Sequence, residues 1–149
     1  MASHVLRTAT ISDLDVLTAL EKKVFSYDLI SRNQWKYLLT KSNGMTRLAQ
    51  NNEGYALLLF RKNSPKARLY SLAVSDSARG KGVGSALLQD VYVCVQEKNC
   101  TEIIAETKQT NTAMQHLFEK AGWKRFGTYR DYYEDGTDAI RYHKKVEKV

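Results

Sequence analysis

In the N-terminal part of the chain, apolar residues recur with helical spacing. After a short predicted strand at residues 5–8, Ser12, Asp13, Leu14 and Asp15 form an acidic turn of N-cap type. This turn opens a predicted helix to about residue 25, with Leu14, Leu17, Leu20 and Val24 on one face. Ser31 followed by Gln34 is a capping-box pattern and starts a second short helix, with Trp35, Leu38 and Leu39 inward. The period then changes. Residues 46–50, 55–61 and 68–74 are short runs rich in apolar and aromatic residues, broken by Asn51-Asn52-Glu53-Gly54 and by the turn around Pro65, which predicts three consecutive strands. A Gly-rich bend over 79–84 leads into a helix to about residue 97, whose apolar positions are Leu87, Leu88, Val91, Cys94 and Val95. A strand at 102–107 and a helix at 112–121, capped by Asn111 and ended by Gly122, follow. Residues 123–129 and 139–146 form a closing pair around Glu134-Asp135-Gly136. The order β-α-α-β-β-β-α-β-α-β-β predicts an α/β fold, a mixed sheet with helices on both faces, in one domain over residues 1–149.

Composition narrows the class. Of 149 residues, 43% are apolar and 26% charged, enough for a core without disulfides or a structural metal. No run of about 18 apolar residues occurs, so no membrane span is expected. Residues 1–10 carry no apolar stretch of the signal-peptide kind. Two cysteines, Cys94 and Cys100, suit a reducing, cytoplasmic setting, and the three His residues show no metal-ligand spacing. The net charge of +7 favours an anionic ligand, but the cations are dispersed and form no nucleic-acid-binding module.

Three of the eight glycines fall in Arg79-Gly80-Lys81-Gly82-Val83-Gly84, between the strand ending Leu72-Ala73-Val74 and an amphipathic helix. Glycine lets main chain approach a ligand, and the helix start adds free N–H groups and a positive dipole end. With Arg79, Lys81 and Ser85 beside it, the bend is an anion nest suited to a diphosphate. A Walker A loop does not fit, a dinucleotide-binding turn fails because Ser85 stands in place of its third Gly, and a plain strand-to-helix turn is the remaining alternative.

Arg79, Gly82 and Gly84, as Arg-x-x-Gly-x-Gly after that strand, resemble the acyl-CoA signature of the GNAT superfamily of N-acetyltransferases. Asn111, Leu117, Phe118, Glu119, Gly122 and Trp123 resemble its Asn-x-x-Ala-x-x-Leu-Tyr-Glu-x-x-Gly-Phe segment. The element order agrees over nearly the whole chain. The resemblance implies acetyl-CoA as cosubstrate, without metal. Main chain of Leu72, Ala73 and Val74 would run beside the pantetheine arm. N–H groups from Gly80 through Lys81, Gly82, Val83, Gly84 and Ser85 would hold the diphosphate, with Arg79 framing the loop and Asn111 contacting the pantetheine.

Glu106, a charged residue in the mostly apolar strand Ile103-Ile104-Ala105-Glu106-Thr107, is the candidate catalytic base. It stands five residues before Asn111, where the similar ribosomal-protein-alanine acetyltransferases place a catalytic glutamate. The alternative is a strand-end carboxylate in solvent or paired with Lys108. Phe118 departs from the family's usual Tyr and cannot donate a proton to the leaving thiolate, so its ring would only pack beside the thioester.

Tyr132-Tyr133-Glu134-Asp135-Gly136-Thr137-Asp138-Ala139 resembles the segment that lines the peptide mouth in enzymes acetylating protein N-termini. The stretch from 25 to 39, with Tyr27 and Trp35, would form the other wall. The expected acceptor is a protein or peptide N-terminal amine. A small amine, or acyl-CoA binding without catalysis, are the alternatives, and the chain is expected to act as a monomer or homodimer.

Overall fold

The computed structural model describes residues 4–26 and 28–149. Seven strands form one sheet in the order β1-β2-β3-β4-β5-β7-β6. They are β1 (Leu6–Thr8), β2 (Gly44–Ala49), β3 (Gly54–Phe60), β4 (Lys66–Val74), β5 (Glu102–Lys108), β6 (Lys124–Tyr129) and β7 (Ala139–Lys145). Every neighbouring pair is antiparallel except β4 with β5. The helices are α1 (Leu14–Val24), α2 (Arg32–Thr40), α3 (Val83–Glu97) and α4 (Thr112–Lys120). The element order is the one the pattern predicts. α1 starts later than predicted, because Ile11–Asp13 form a 3-10 turn in which Asp13 accepts from the Thr10 N–H and pairs with Arg7.

Two apolar clusters sandwich the sheet. On one face Val83, Leu87, Val91 and Val95 of α3 and Phe118 of α4 meet Ala56, Leu58, Leu69 and Leu72. On the other, Leu14, Leu17 and Leu20 of α1 and Trp35 of α2 meet Leu48, Tyr55, Leu57 and Ala73. The alternation along β3, Tyr55 and Leu57 one way and Ala56 and Leu58 the other, is the period of a strand buried on both sides.

One irregularity shapes the groove. Leu57 pairs with Ser71 but Leu58 pairs with Leu69, so Tyr70 is an extra residue in β4. The parallel ladder between β4 and β5 stops at the same place, with Leu69 opposite Ala105. Beyond it β5 continues beside β7, while β4 stays with β3. The two central strands therefore fork. Among the described residues, the main-chain edge of 70–74 that faces the fork has no ladder partner.

Candidate active site

Strand β4 leads from the fork into the glycine bend that precedes α3. Gly80 and Gly82 have φ of +79° and +82°, a left-handed backbone that side chains other than glycine's rarely adopt. Gly82 is the N-cap of α3, and no side chain caps the helix. The first N–H groups of Val83, Gly84 and Ser85 thus carry the positive end of a 15-residue helix without a side-chain acceptor. This is a cradle that fits a diphosphate. Gly84 has a different reason to be glycine, since a Cβ there would lie 2.9 Å from Leu117 Cδ2 of α4. Arg79 is exposed, its Nε 3.1 Å from Asp76 Oδ1, and the Lys81 carbonyl accepts from His4 Nε2 at 2.8 Å.

Leu72 and Ala73 bury their side chains in opposite cores, which leaves their main chain as what the fork can use. Asn111 caps α4, its Oδ1 accepting from the Met114 N–H at 3.0 Å, and also lines the cleft. Phe118 is buried, with its ring 5.1 Å from Tyr142 and 4.8 Å from Trp123. It forms an apolar wall at the cleft and brings no hydroxyl to it.

At its other end the fork widens into a cleft of about 900 Å³, enclosed by the α1–α2 connection, β4, β5 and the β6–β7 loop. Glu106 is on its floor, its side chain only 6% exposed. Arg68 Nη2 donates to Glu106 Oε1, and Arg141 Nε lies 3.5 Å from Oε2. The carboxylate is therefore neither free in solvent nor paired with Lys108, which instead contacts Asp135 at 2.7 Å. Arg68 Nη2 also reaches the Tyr132 hydroxyl at 3.3 Å. Tyr132 and Tyr133 both line the cleft, Tyr132 stacked on Tyr129 and set edge-on to Tyr133. Lys108, backed by the Thr137 N–H, holds the Asp135 carboxyl well below the usual carboxylate range and so ties the β6–β7 loop to β5.

Trp35 faces inward, as the helical pattern predicts, and does not line the cleft, contrary to its expected place in the substrate wall. It is fully buried, edge-to-face with Tyr55 at 5.3 Å, and its Nε1 donates to Glu21 Oε1 at 3.1 Å. Its indole is large and apolar with one donor, and α2 turns it into the sheet beside the buried acceptor it needs. Tyr27 lies outside the described residues.

Three participants were not anticipated from sequence. Arg68 carries the same signal that marked Glu106, a charge inside a mostly apolar strand, whereas Arg141 lies in the basic strand Ala-Ile-Arg-Tyr-His-Lys-Lys and carries none. Glu21, on the apolar face of α1, lines the cleft and accepts from the Ile30 N–H at 2.8 Å and from Trp35. Burial pushes its carboxyl up, and those two donors partly offset the rise. Neither thiol lines the cleft, and burial raises the Cys94 thiol to about 11, so direct transfer fits this site better than a cysteine-bound acyl group.

The sequence profile of the acetyltransferase (GNAT) family matches residues 17–123. N-alpha-acetyltransferase 30 of Xenopus laevis is 36% identical over 70 residues, which are 47% of this chain and 26% of that protein. An N-alpha-acetyltransferase of Sulfurisphaera tokodaii is 36% identical over 75 residues, 50% of this chain and 45% of that protein. The chain thus covers less than half the length of these relatives. Among solved structures, the ribosomal-protein-S18-alanine N-acetyltransferase from Escherichia coli superposes with a TM-score of 0.86 at 19% identity, covering 99% of this chain and 96% of that one. A chain of the NatC complex bound to Gag peptide and CoA gives 0.84 at 22% identity, covering 98% and 100%. At these identities the structural likeness is one of fold.

Proposed function

The chain belongs to the acetyltransferase (GNAT) family, and from that premise we propose that it moves an acetyl group from acetyl-CoA to the N-terminal α-amine of a protein or peptide. The observation that carries this reading is the fork between β4 and β5, which borders a cleft walled by Tyr132 and Tyr133 and whose strand β4 runs on toward the glycine bend. The names of the partial relatives, N-alpha-acetyltransferases, support the same acceptor class.

In this reading the chain supplies position and proton traffic. Amides of Gly82, Val83, Gly84 and Ser85 take the diphosphate, with Gly80, Lys81 and Arg79 framing the bend. The open edge of 72–74 and the Asn111 side chain guide the pantetheine arm toward the fork. The neutral amine attacks the thioester carbonyl carbon, the C–S bond breaks, and CoA leaves as thiolate. A main-chain N–H near Leu72 faces the developing oxyanion. Glu106 receives the proton the nitrogen loses, directly or through one water. An α-amine has an unperturbed pKa of about 7.7–8.0, so a carboxylate held in place is base enough when the proton leaves late. Phe118 offers no proton to sulfur. A thiol pKa of about 8.5 lets the thiolate depart without one.

The test is thiol release and product mass with acetyl-CoA and a panel of peptides. Peptides with a free N-terminus should be acetylated there, and the same peptides with a blocked N-terminus and a free lysine should not. Turnover of polyamines or aminoglycosides in place of peptides would replace the acceptor assignment.

A further inference from the structure

The sheet face under α1 and α2 changes character at β4. The apolar cluster ends at Ala73, and beyond it β4, β5 and β7 carry charge on that face. Lys66 Nζ and His143 Nδ1 lie 3.8 Å and 2.9 Å from Glu102. Arg68 and Arg141 flank Glu106. Three fixed cations thus share two carboxylates. The surplus is not distributed evenly. Arg141 is compensated by aromatic faces, with its guanidinium 4.6 Å from the Phe126 ring and 4.2 Å from the Tyr129 ring. Arg68 lines the cleft, is 39% exposed, and places Nη2 on both Glu106 and Tyr132. Among the described residues its Nε and Nη1 meet no protein acceptor. On the facing wall both Glu21 oxygens are taken by Ile30 and Trp35, and Asp28 is exposed.

We propose that Arg68 is a specificity-determining residue, whose outward N–H groups bind a side-chain carboxylate within the first two residues of the acceptor. This rests on the peptide-amine reading above and narrows its substrate class. A guanidinium pairs with a carboxylate through parallel N–H donors, and Glu106 and Tyr132 hold the fork still before the acceptor arrives. The amine and the selecting carboxylate would then sit on the two sides of one Arg68–Glu106 pair.

The experiment measures kcat/KM for matched peptides with Asp or Glu against Asn or Gln, at the first residue in one series and at the second in another. In the wild-type chain the acidic member of at least one series should win by about tenfold or more, the size of a charge-assisted hydrogen bond in a shielded site. Arg68→Gln should collapse that ratio toward one, and Arg68→Lys, which keeps charge but not the fork, should fall between. The ratio is read within each variant, so a general loss of rate does not mimic loss of selection. Equal use of acidic and amide peptides by the wild-type chain overturns the carboxylate selection and leaves N-terminal acetylation standing. A ratio that survives Arg68→Gln overturns the assignment to Arg68. Absence of transfer to every peptide overturns both readings together.

Discussion

At the glycine bend the chain presents main-chain N–H groups, and in the cleft it presents side chains converging from several elements. The glycine bend needs only two left-handed residues and an uncapped helix start, all within a few positions of one another. The floor of the cleft needs Arg68 from β4, Glu106 from β5, Arg141 from β7 and Tyr132 from the β6–β7 loop, which the chain spreads over about half its length. A main-chain site tolerates exchange of neighbouring side chains but not of backbone conformation. A side-chain site behaves in the opposite way. The two halves should therefore fail differently when altered.

The largest separation is expected from Glu106→Gln. It should lower kcat by about 10²–10⁴-fold while CoA affinity measured by calorimetry stays within error. A fully active variant would move the base to another group. Next comes Gly82→Val, which forces a β-branched residue to φ near +82° at a strain of about 1–2 kcal/mol and turns the cradle's N–H groups away. CoA should bind about tenfold weaker or worse while circular dichroism keeps the native spectrum. Unchanged affinity would contradict the cradle.

Gly84→Val should act mainly on stability, lowering it by about 1–3 kcal/mol in denaturant titration, because its side chain must push Leu117 aside. Equal stability there would mean that the Leu117 side chain turns aside without cost.

The smallest effect belongs to Asp135. Its carboxyl is held low in the folded chain, so its contribution is complete above the ordinary carboxylate range and is lost as pH falls through the folded value. Wild-type melting temperature should therefore fall more steeply below about pH 4 than that of Asp135→Asn. Parallel curves would show that the Lys108 contact does not stabilise the loop.

Much of the fold was legible because its signals are local. Ser31 and Gln34 form the capping box that starts α2, and the predicted end of α3 at residue 97 is the observed one. The glycines of the bend and the Asn111 cap were legible for the same reason. The helical pattern places Trp35 inward, where it lies, while the resemblance also assigns it to the cleft wall; an aromatic residue at a helix start looks the same in sequence in either role. The answer lay in Glu21, fourteen positions away.

The period of each element, the caps and the glycine bend before α3 were readable in the chain, since each depends on backbone chemistry within a few residues, and so was the presence of a charge at residue 106 in an apolar strand. Folding alone settles that Glu106 is buried, that β4 bulges at Tyr70 and parts from β5, and that two guanidiniums from other strands close on the carboxylate. Those outcomes follow from strand register and from which side chains meet across the sheet. Contacts of that kind form between residues up to 64 positions apart, and no local pattern encodes them.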